Sequence, residues 1–475
     1  MIVSENSRPL SATVGCNMRK IVLSCGFLIL AACSSPIPDD TTSRSAPAPS
    51  ALPPMKTFAS PDIMPPSRPN AAIAQDFLDL SFELESGRKL PVFTRFEGPV
   101  SVRVTGAVPG SLRPDLARLL SRLRREAGIS ITQVAANRDA SITIEVLPRA
   151  ELQRYVPQAA CFVVPRLSSW AEFKRNRRGP AVDWTTLQTR ERMAIFLPGD
   201  VSPQEIRDCL HEELAQALGP LNDLYRLGDS VFNDDNFHTV LTGFDMLILR
   251  AYYSPQLYSG LTRPQVAARI PAILADLNPE GQRVSGVIAS RTPRAWIDAI
   301  EEALGPKTSD LRRQEAAKRA VAIAKQQRWV DNRMAFSLFA LGRLSLAGEA
   351  DIALASFLQA GTIYNANPET RLQGAHVAMQ LAAFALSSGQ TETAIGLVDD
   401  NIGPVAASEN AALLATLLMI KSEALAMEGR SAEARAVRLD SLGWARYGFG
   451  SDKAVRLRLR EIAALSHQLR GGGAI

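Results

Sequence analysis

The stretch CLHEELAQALGPLND, from Cys209 to Asp223, sets a histidine, two glutamates, a glutamine and an asparagine within one helical span and the turn after it. A hydrolytic zinc helix needs imidazoles at i and i+4, one turn apart on one face, and a glutamate at i+1 to take a proton from the metal-bound water. His211 and Glu212 supply the first half of that pattern. Position 215 is alanine, and Gln216 lies one place too far round the helix. The chain holds four histidines, His211, His238, His376 and His467, of which the last two fall in the C-terminal part. In this frame no three-histidine site can form.

One residue along, the spacing changes meaning. Glu212, Glu213, Gln216, Gly219 and Asn222 occupy the places of the longer pattern His-Glu-x-x-His-x-x-Gly-x-x-His. Here the stretch resembles the metzincin, matrix-metalloprotease-like fold. SVFNDD at 230–235 stands where such enzymes carry a methionine-containing turn, and LTGFDMLILRAYY at 241–253 resembles their last helix. The same residues resemble a bacterial domain family of unknown function, number 2927, over about residues 72–262. That family is secreted or lipid-anchored and looks like a zincin relative. The resemblance implies a zincin-like domain of mixed sheet and helix. It places Glu212, Gln216 and Asn222 at the ligand positions, with Asp223 beside them, and Glu213 at the general-base position.

Glu212, Gln216 and Asn222 offer only oxygen ligands in useful geometry, and amide oxygens hold zinc weakly. Ca²⁺ or Mg²⁺ would suit these atoms better, and Asp229, Asn233, Asp234 and Asp235 add oxygen nearby, without the spacing of an EF-hand loop. His238 could approach the same cleft. The reading adopted is a degenerate site with no metal and no cofactor. In it Glu212, Gln216, Asn222 and Asp223 form a polar cluster where the ion once sat, bonded to one another and to nearby backbone. His211 packs or bonds beside the helix. The alternative is an atypical metallohydrolase, a peptidase acting on envelope protein or peptide, with Glu213 as its base. Whether the chain is an enzyme stays open between these two.

The elements that must position these groups are legible in part. Ser202, Pro203 and Glu205 form a helix start, with Ser202 as N-cap and Glu205 as capping-box partner, and Gly219-Pro220 ends that helix. Alternation predicts strands at 100–106 and 140–148, and 160–164 and 191–198 are further strand candidates. Residues 112–128 read as an amphipathic helix. Helices follow at 262–277, 292–305 and 309–329. From Met334 the chain reads as helical pairs with a period of about 40, turning at Gly348, Gly389 and Gly429, with Ala353, Ala394 and Ala434 each five residues on. The fold class expected is α+β, a zincin-like domain followed by an all-α tetratricopeptide-like array. Its segments are a domain at 72–264, a helical connector at 265–333 and repeats at 334–470.

The N-terminus adds an address. Arg19 and Lys20 precede an apolar run, Ile21 to Ala32, that ends in Leu30-Ala31-Ala32-Cys33. This is a signal peptide closing on a lipobox, so residues 1–33 leave Cys33 as the lipidated (palmitate-bearing) first residue, with Met18 the expected true start. Ser34 favours the outer membrane, which puts the protein on the periplasmic side of the envelope. The Pro/Ser-rich stretch 34–71 reads as an extended linker. Processing leaves two cysteines, Cys161 and Cys209. An even pair in an oxidising compartment suggests a disulfide, two buried free thiols being the other reading. A net charge of +5 over 475 residues, with KRNRRG at 174–179 lacking interleaved aromatics, argues against nucleic acid. The partners expected are the membrane, through the lipid, and a protein or peptide on the helical repeats.

Overall fold

The structure, a computed structural model, describes residues 52–59, 64–286, 288–305 and 308–471. The expected signal segment and Cys33 lie outside the described residues. The described residues from Pro53 onward form one compact unit.

Its first half is a mixed α/β domain. The chain runs through α1 (Asn70–Phe82), β1 (Val100–Gly106), α2 (Leu112–Glu126), β2 (Ile131–Gln133) and β3 (Ile142–Leu147). It continues with α3 (Arg149–Tyr155), β4 (Phe162–Pro165), α4 (Trp170–Asn176), β5 (Met193–Pro198) and α5 (Pro203–Leu218). Then come α6 (Gly243–Tyr252), α7 (Arg263–Leu277) and α8 (Arg294–Leu304). The sheet order is β2-β1-β3-β5-β4, parallel except for β4, which runs antiparallel along β5 at the edge. β5 is buried at all six residues, as a central strand covered on both faces must be. One face packs on α1, α2, α5, α6 and α7 in a single core. The other is covered by Leu152, Trp170 and Phe173 of α3 and α4.

The predicted strands at 100–106 and 140–148 and the helix at 112–128 match observed elements closely. α1 was not expected. Eleven of its thirteen residues are buried, so it lacks the polar stripe by which a surface helix shows its period. α7, read as the start of a connector, places Val266, Ile270, Ile273 and Leu274 in the domain core. The expected capping box of α5 is half present: Ser202 accepts from the Glu205 amide, but the Glu205 carboxylate turns to Arg149, 2.7 Å away.

The second half is an all-α array: α9 (Asp310–Gln326), α10 (Asn332–Ser345), α11 (Ala350–Asn365), α12 (Arg371–Ser387), α13 (Thr391–Ala407), α14 (Ala411–Met427), α15 (Ser431–Phe449) and α16 (Asp452–Gly471). Gly389 and Gly429 take φ of +77° and +78° in the turns, a conformation that favours glycine. Ala353, Ala394 and Ala434 are buried, so the small side chain at each recurring position lets paired helices approach closely. Among the described residues no helix is long and apolar enough to cross a membrane.

Part of the stretch read as linker packs. Phe58 is buried and stacks on Trp444 at 4.5 Å, Lys56 pairs with Asp440, and the Phe58 carbonyl accepts from Arg118 at 2.7 Å.

Candidate functional site

α5 is set by its two ends and by a covalent tie. At its start Ser202 caps the first turn. At its end the buried Arg190 donates to the carbonyls of Gln216 (2.5 Å), Ala217 (2.8 Å) and Gly219. A guanidinium facing the carbonyl end of a helix meets both the unpaired acceptors and the negative end of its dipole. No carboxylate among the described residues is bonded to it, and burial lowers its affinity for the proton from the usual arginine value. Gly219 lies against Tyr252, where a Cβ would meet the ring at 3.0 Å. Midway along, Cys209 is disulfide-bonded to Cys161, at the start of β4, with Cα atoms 6.0 Å apart. The disulfide expected from the cysteine count is present.

Beyond Gly219 the chain is pinned to α1 by buried ion pairs. Arg226 bridges Asp76 (2.7 Å) and Asp79 (2.9 Å), while Arg68 joins Asp76 (3.3 Å) to Asp229. Asn222 donates to the Asp79 carbonyl at 3.0 Å. The next turn is held by Asp245, fully buried, which accepts from Ser230 Oγ (2.5 Å), Val231 N (3.2 Å) and Thr242 N (2.8 Å).

These supports leave a small cleft lined by Glu212, Asp223, Asn233, Asp234, His238 and neighbours, with a free volume of about 20 Å³. That is room for about one water molecule. Of the sequence-derived cluster, Glu212 and Asp223 share this cleft. Gln216 and Asn222 do not line it, and Asn222 is spent on α1. Asn233 bonds Asp235 at 2.8 Å and Asp229 pairs with Arg68, so these oxygens serve the loop. His211 lies elsewhere: its Nδ1 accepts from the Leu241 amide at 3.1 Å.

The cleft is crowded with carboxylates. Burial, with the charges of Glu85 and Asp234, pushes Glu212 up to about 7. Burial and the same neighbours raise Asp223 well above the usual range, and burial with Glu85 raises Asp234 to about 6. Glu213 is 4% exposed, and burial plus the Glu212 charge hold its carboxyl well above the ordinary value. Glu213 Oε2, Asp223 Oδ1 and His238 Nε2 are buried without a hydrogen-bond partner. Burial pushes His238 down to about 4, so its imidazole is neutral.

Among the described residues one trio of metal-ligating side chains converges, Cys161, Glu212 and Glu213, whose donor atoms lie within 4.8 Å of one another. The Cys161 sulfur is committed to the disulfide. Two carboxyls remain, and burial raises both. Such a pair can share a proton, but it does not form the open, nitrogen-rich site on which zinc hydrolysis depends.

Two features were invisible to sequence reasoning. Arg190 gave no signal, lying in an unremarkable TRER run. Phe237 is the second. It packs against Phe336, Phe339, Tyr364 and His376 of α10, α11 and α12, with ring centroids 4.7–6.2 Å away. Gln373 donates to the Gly228 carbonyl (2.6 Å) and Asn332 to that of Tyr225 (2.7 Å). The loop that borders the cleft is thus seated on the array.

Residues 70–272 match the model of a family described as "Protein of unknown function (DUF2927)". No curated protein and no solved structure matches the chain.

Proposed function

We propose that this protein is an envelope lipoprotein, anchored through Cys33, whose DUF2927 domain is a zincin-like scaffold without catalytic metal chemistry and whose tetratricopeptide-like array receives a protein or peptide partner. The observation that carries the non-catalytic reading is the donor set. The metal positions implied by the resemblance bear Glu212, Gln216 and Asn222. Asn222 is bonded to the Asp79 carbonyl, the converging sulfur is in a disulfide, and burial with the Glu212 charge holds the Glu213 carboxyl well above its ordinary value. The zincin-like reading draws support from α5 following β5 directly, beside the antiparallel edge strand β4, and ending on Gly219.

The interaction role rests on the array's outer surface. The face bearing Phe336 and Phe339 is covered by Phe237, so a partner must use another. Leu346, Ile352, Leu354 and Leu358 are exposed in and just before α11. Leu354 and Leu358 stand one turn apart on one stripe. A photo-crosslinker at Leu358 should give one discrete adduct in intact envelopes, abolished by Leu354→Asp. A ladder of weak adducts equal to that from a polar site on α13 would contradict the role. The anchor is tested by fatty-acid labelling, which should mark the wild type and not Cys33→Ala. Equal labelling would refute it.

One observation favours the second reading, an atypical metallohydrolase acting on envelope protein or peptide. Two buried polar atoms on residues that line the cleft, Asp223 Oδ1 and His238 Nε2, are unpartnered among the described residues. A cation drawn in by a loop shift would satisfy them.

A further inference from the structure

A second cavity, of about 100 Å³, lies where α2 and α5 of the domain meet the α13–α14 turn of the array. Four arginines line it: Arg118, Arg122 and Arg125 from α2 and Arg207 from α5. We propose that this cavity is a binding site for a small oxyanion, a phosphate or carboxylate group.

The argument rests on which hydrogen-bonding capacity is already used. Arg122 is 4% exposed. Its Nε and Nη2 hold Glu126 (3.0 and 2.8 Å), and Nη2 also donates to the Leu241 carbonyl (2.9 Å). Its Nη1 is buried with no partner. Leaving a charged donor unsatisfied is costly, and a native protein keeps one where a water or ligand completes it. His211 lines the same cavity. Its Nδ1 accepts from Leu241, so the ring proton sits on Nε2 and the imidazole is a second donor. Burial and the neighbouring arginines keep it neutral.

Two carboxylates also line the walls, and each faces an arginine. Asp115 accepts from Arg118 on one oxygen and from Tyr447 on the other (2.9 Å). Glu409 lies 3.5 Å from Arg207, which holds Asp208 at 2.8 Å as well. Among the described residues Arg125 donates only to Ser121 Oγ, within its own helix. The capacity left over is therefore of donors: Arg122 Nη1, the guanidinium of Arg125 and the His211 ring. A surplus of cationic donors over carboxylate acceptors favours an anion, and forked guanidinium groups match the oxygens of phosphate or carboxylate. The volume admits one such group and little more. The walls come from both halves of the molecule, so a bound anion would also bridge their interface.

The test is calorimetric titration of the chain from residue 34, with Cys33 absent, using inorganic phosphate and, separately, acetate at constant ionic strength. We expect saturable one-to-one binding of at least one anion, weakened about tenfold or more by Arg125→Gln. That side chain is exposed and, among the described residues, bonded only to Ser121, so the variant should keep its fold, checked by circular dichroism. Arg122→Gln should abolish binding, and where it fails to fold, Arg125→Gln alone decides. A preference for phosphate assigns a tetrahedral group and a preference for acetate a planar one, and either supports the site. No binding of either anion at millimolar concentration, or binding unchanged in Arg125→Gln, overturns it.

Discussion

Arg190 and Glu213 are both buried ionisable groups, and the domain treats them oppositely. Arg190 keeps its charge because the open carbonyl end of α5 faces it. Glu213 faces another carboxyl, and burial with that neighbour's charge disfavours its ionised form. Replacing Arg190 with methionine should cost about 3–5 kcal/mol, since three helix carbonyls lose their donor in a dry site. Chemical denaturation would read this directly, and a loss below 1 kcal/mol would show that water replaces the guanidinium. The carboxyls make stability depend on pH with a definite sign. A carboxyl whose folded pKa exceeds its unfolded one contributes fully below about 4.5, and the contribution is lost as pH rises through the folded value. Glu212 and Asp229 stand near 7 and Asp235 near 8. Stability should therefore fall from pH 6 to pH 9. His238, lowered to about 4, has the opposite sign: its contribution is lost as pH falls from its unfolded value toward 4, and it is complete above about 6.5. It does not mask the fall. Glu212→Gln should make the decline shallower, and a decline of unchanged slope would refute the carboxylate crowding.

At the scale of elements, the parts legible in the sequence were those whose local pattern agreed with their tertiary role. β1 alternates because it is half-buried, and α5 begins at a Ser-Pro pair that caps and fixes its first turn. α1 and the three-residue β2 were illegible for physical reasons. One is buried nearly all round, and the other is too short to show a period. The buried Asp76 and Asp79 of α1 gave no hint that arginines from a distant loop would pair with them. The candidate site was half legible. The sequence groups Glu212, Gln216, Asn222 and Asp223, and in the structure Glu212 and Asp223 line one cleft while Gln216 and Asn222 do not. It could not say that Asn222 turns to α1, because that depends on a helix the pattern did not show. The disulfide closes a separation of 48 residues between β4 and α5. In the chain-entropy model such a loop is worth about 4 kcal/mol. Cys161→Ser with Cys209→Ser should lower the urea midpoint accordingly, and non-reducing peptide mapping should recover the cross-linked pair. Quantitative alkylation of both thiols without reduction would contradict it.

For the whole molecule, the array is a support as well as a surface. Phe237, Gln373 and Asn332 join the cleft loop to α10–α12, and Arg207 donates to the Glu409 carbonyl (2.9 Å) from α5. Domain and array should unfold in one transition. Phe237→Ala should cost about 3–5 kcal/mol and raise hydrogen exchange in residues 225–240. Unchanged exchange there would mean that the docking is weak. An array that holds the loop also fixes how closely Asp223 and His238 approach Glu212, which ties the fold of the second half to the chemistry of the first.

The central claim is that this cleft performs no metal-assisted hydrolysis. The most direct measurement is elemental analysis of residues 34–475, purified without chelator, followed by cleavage assays on a peptide library with wild type and Glu213→Gln. The account predicts less than stoichiometric zinc and no cleavage that differs between the two proteins. One zinc per chain, with cleavage abolished by Glu213→Gln, would contradict it and establish the metallohydrolase.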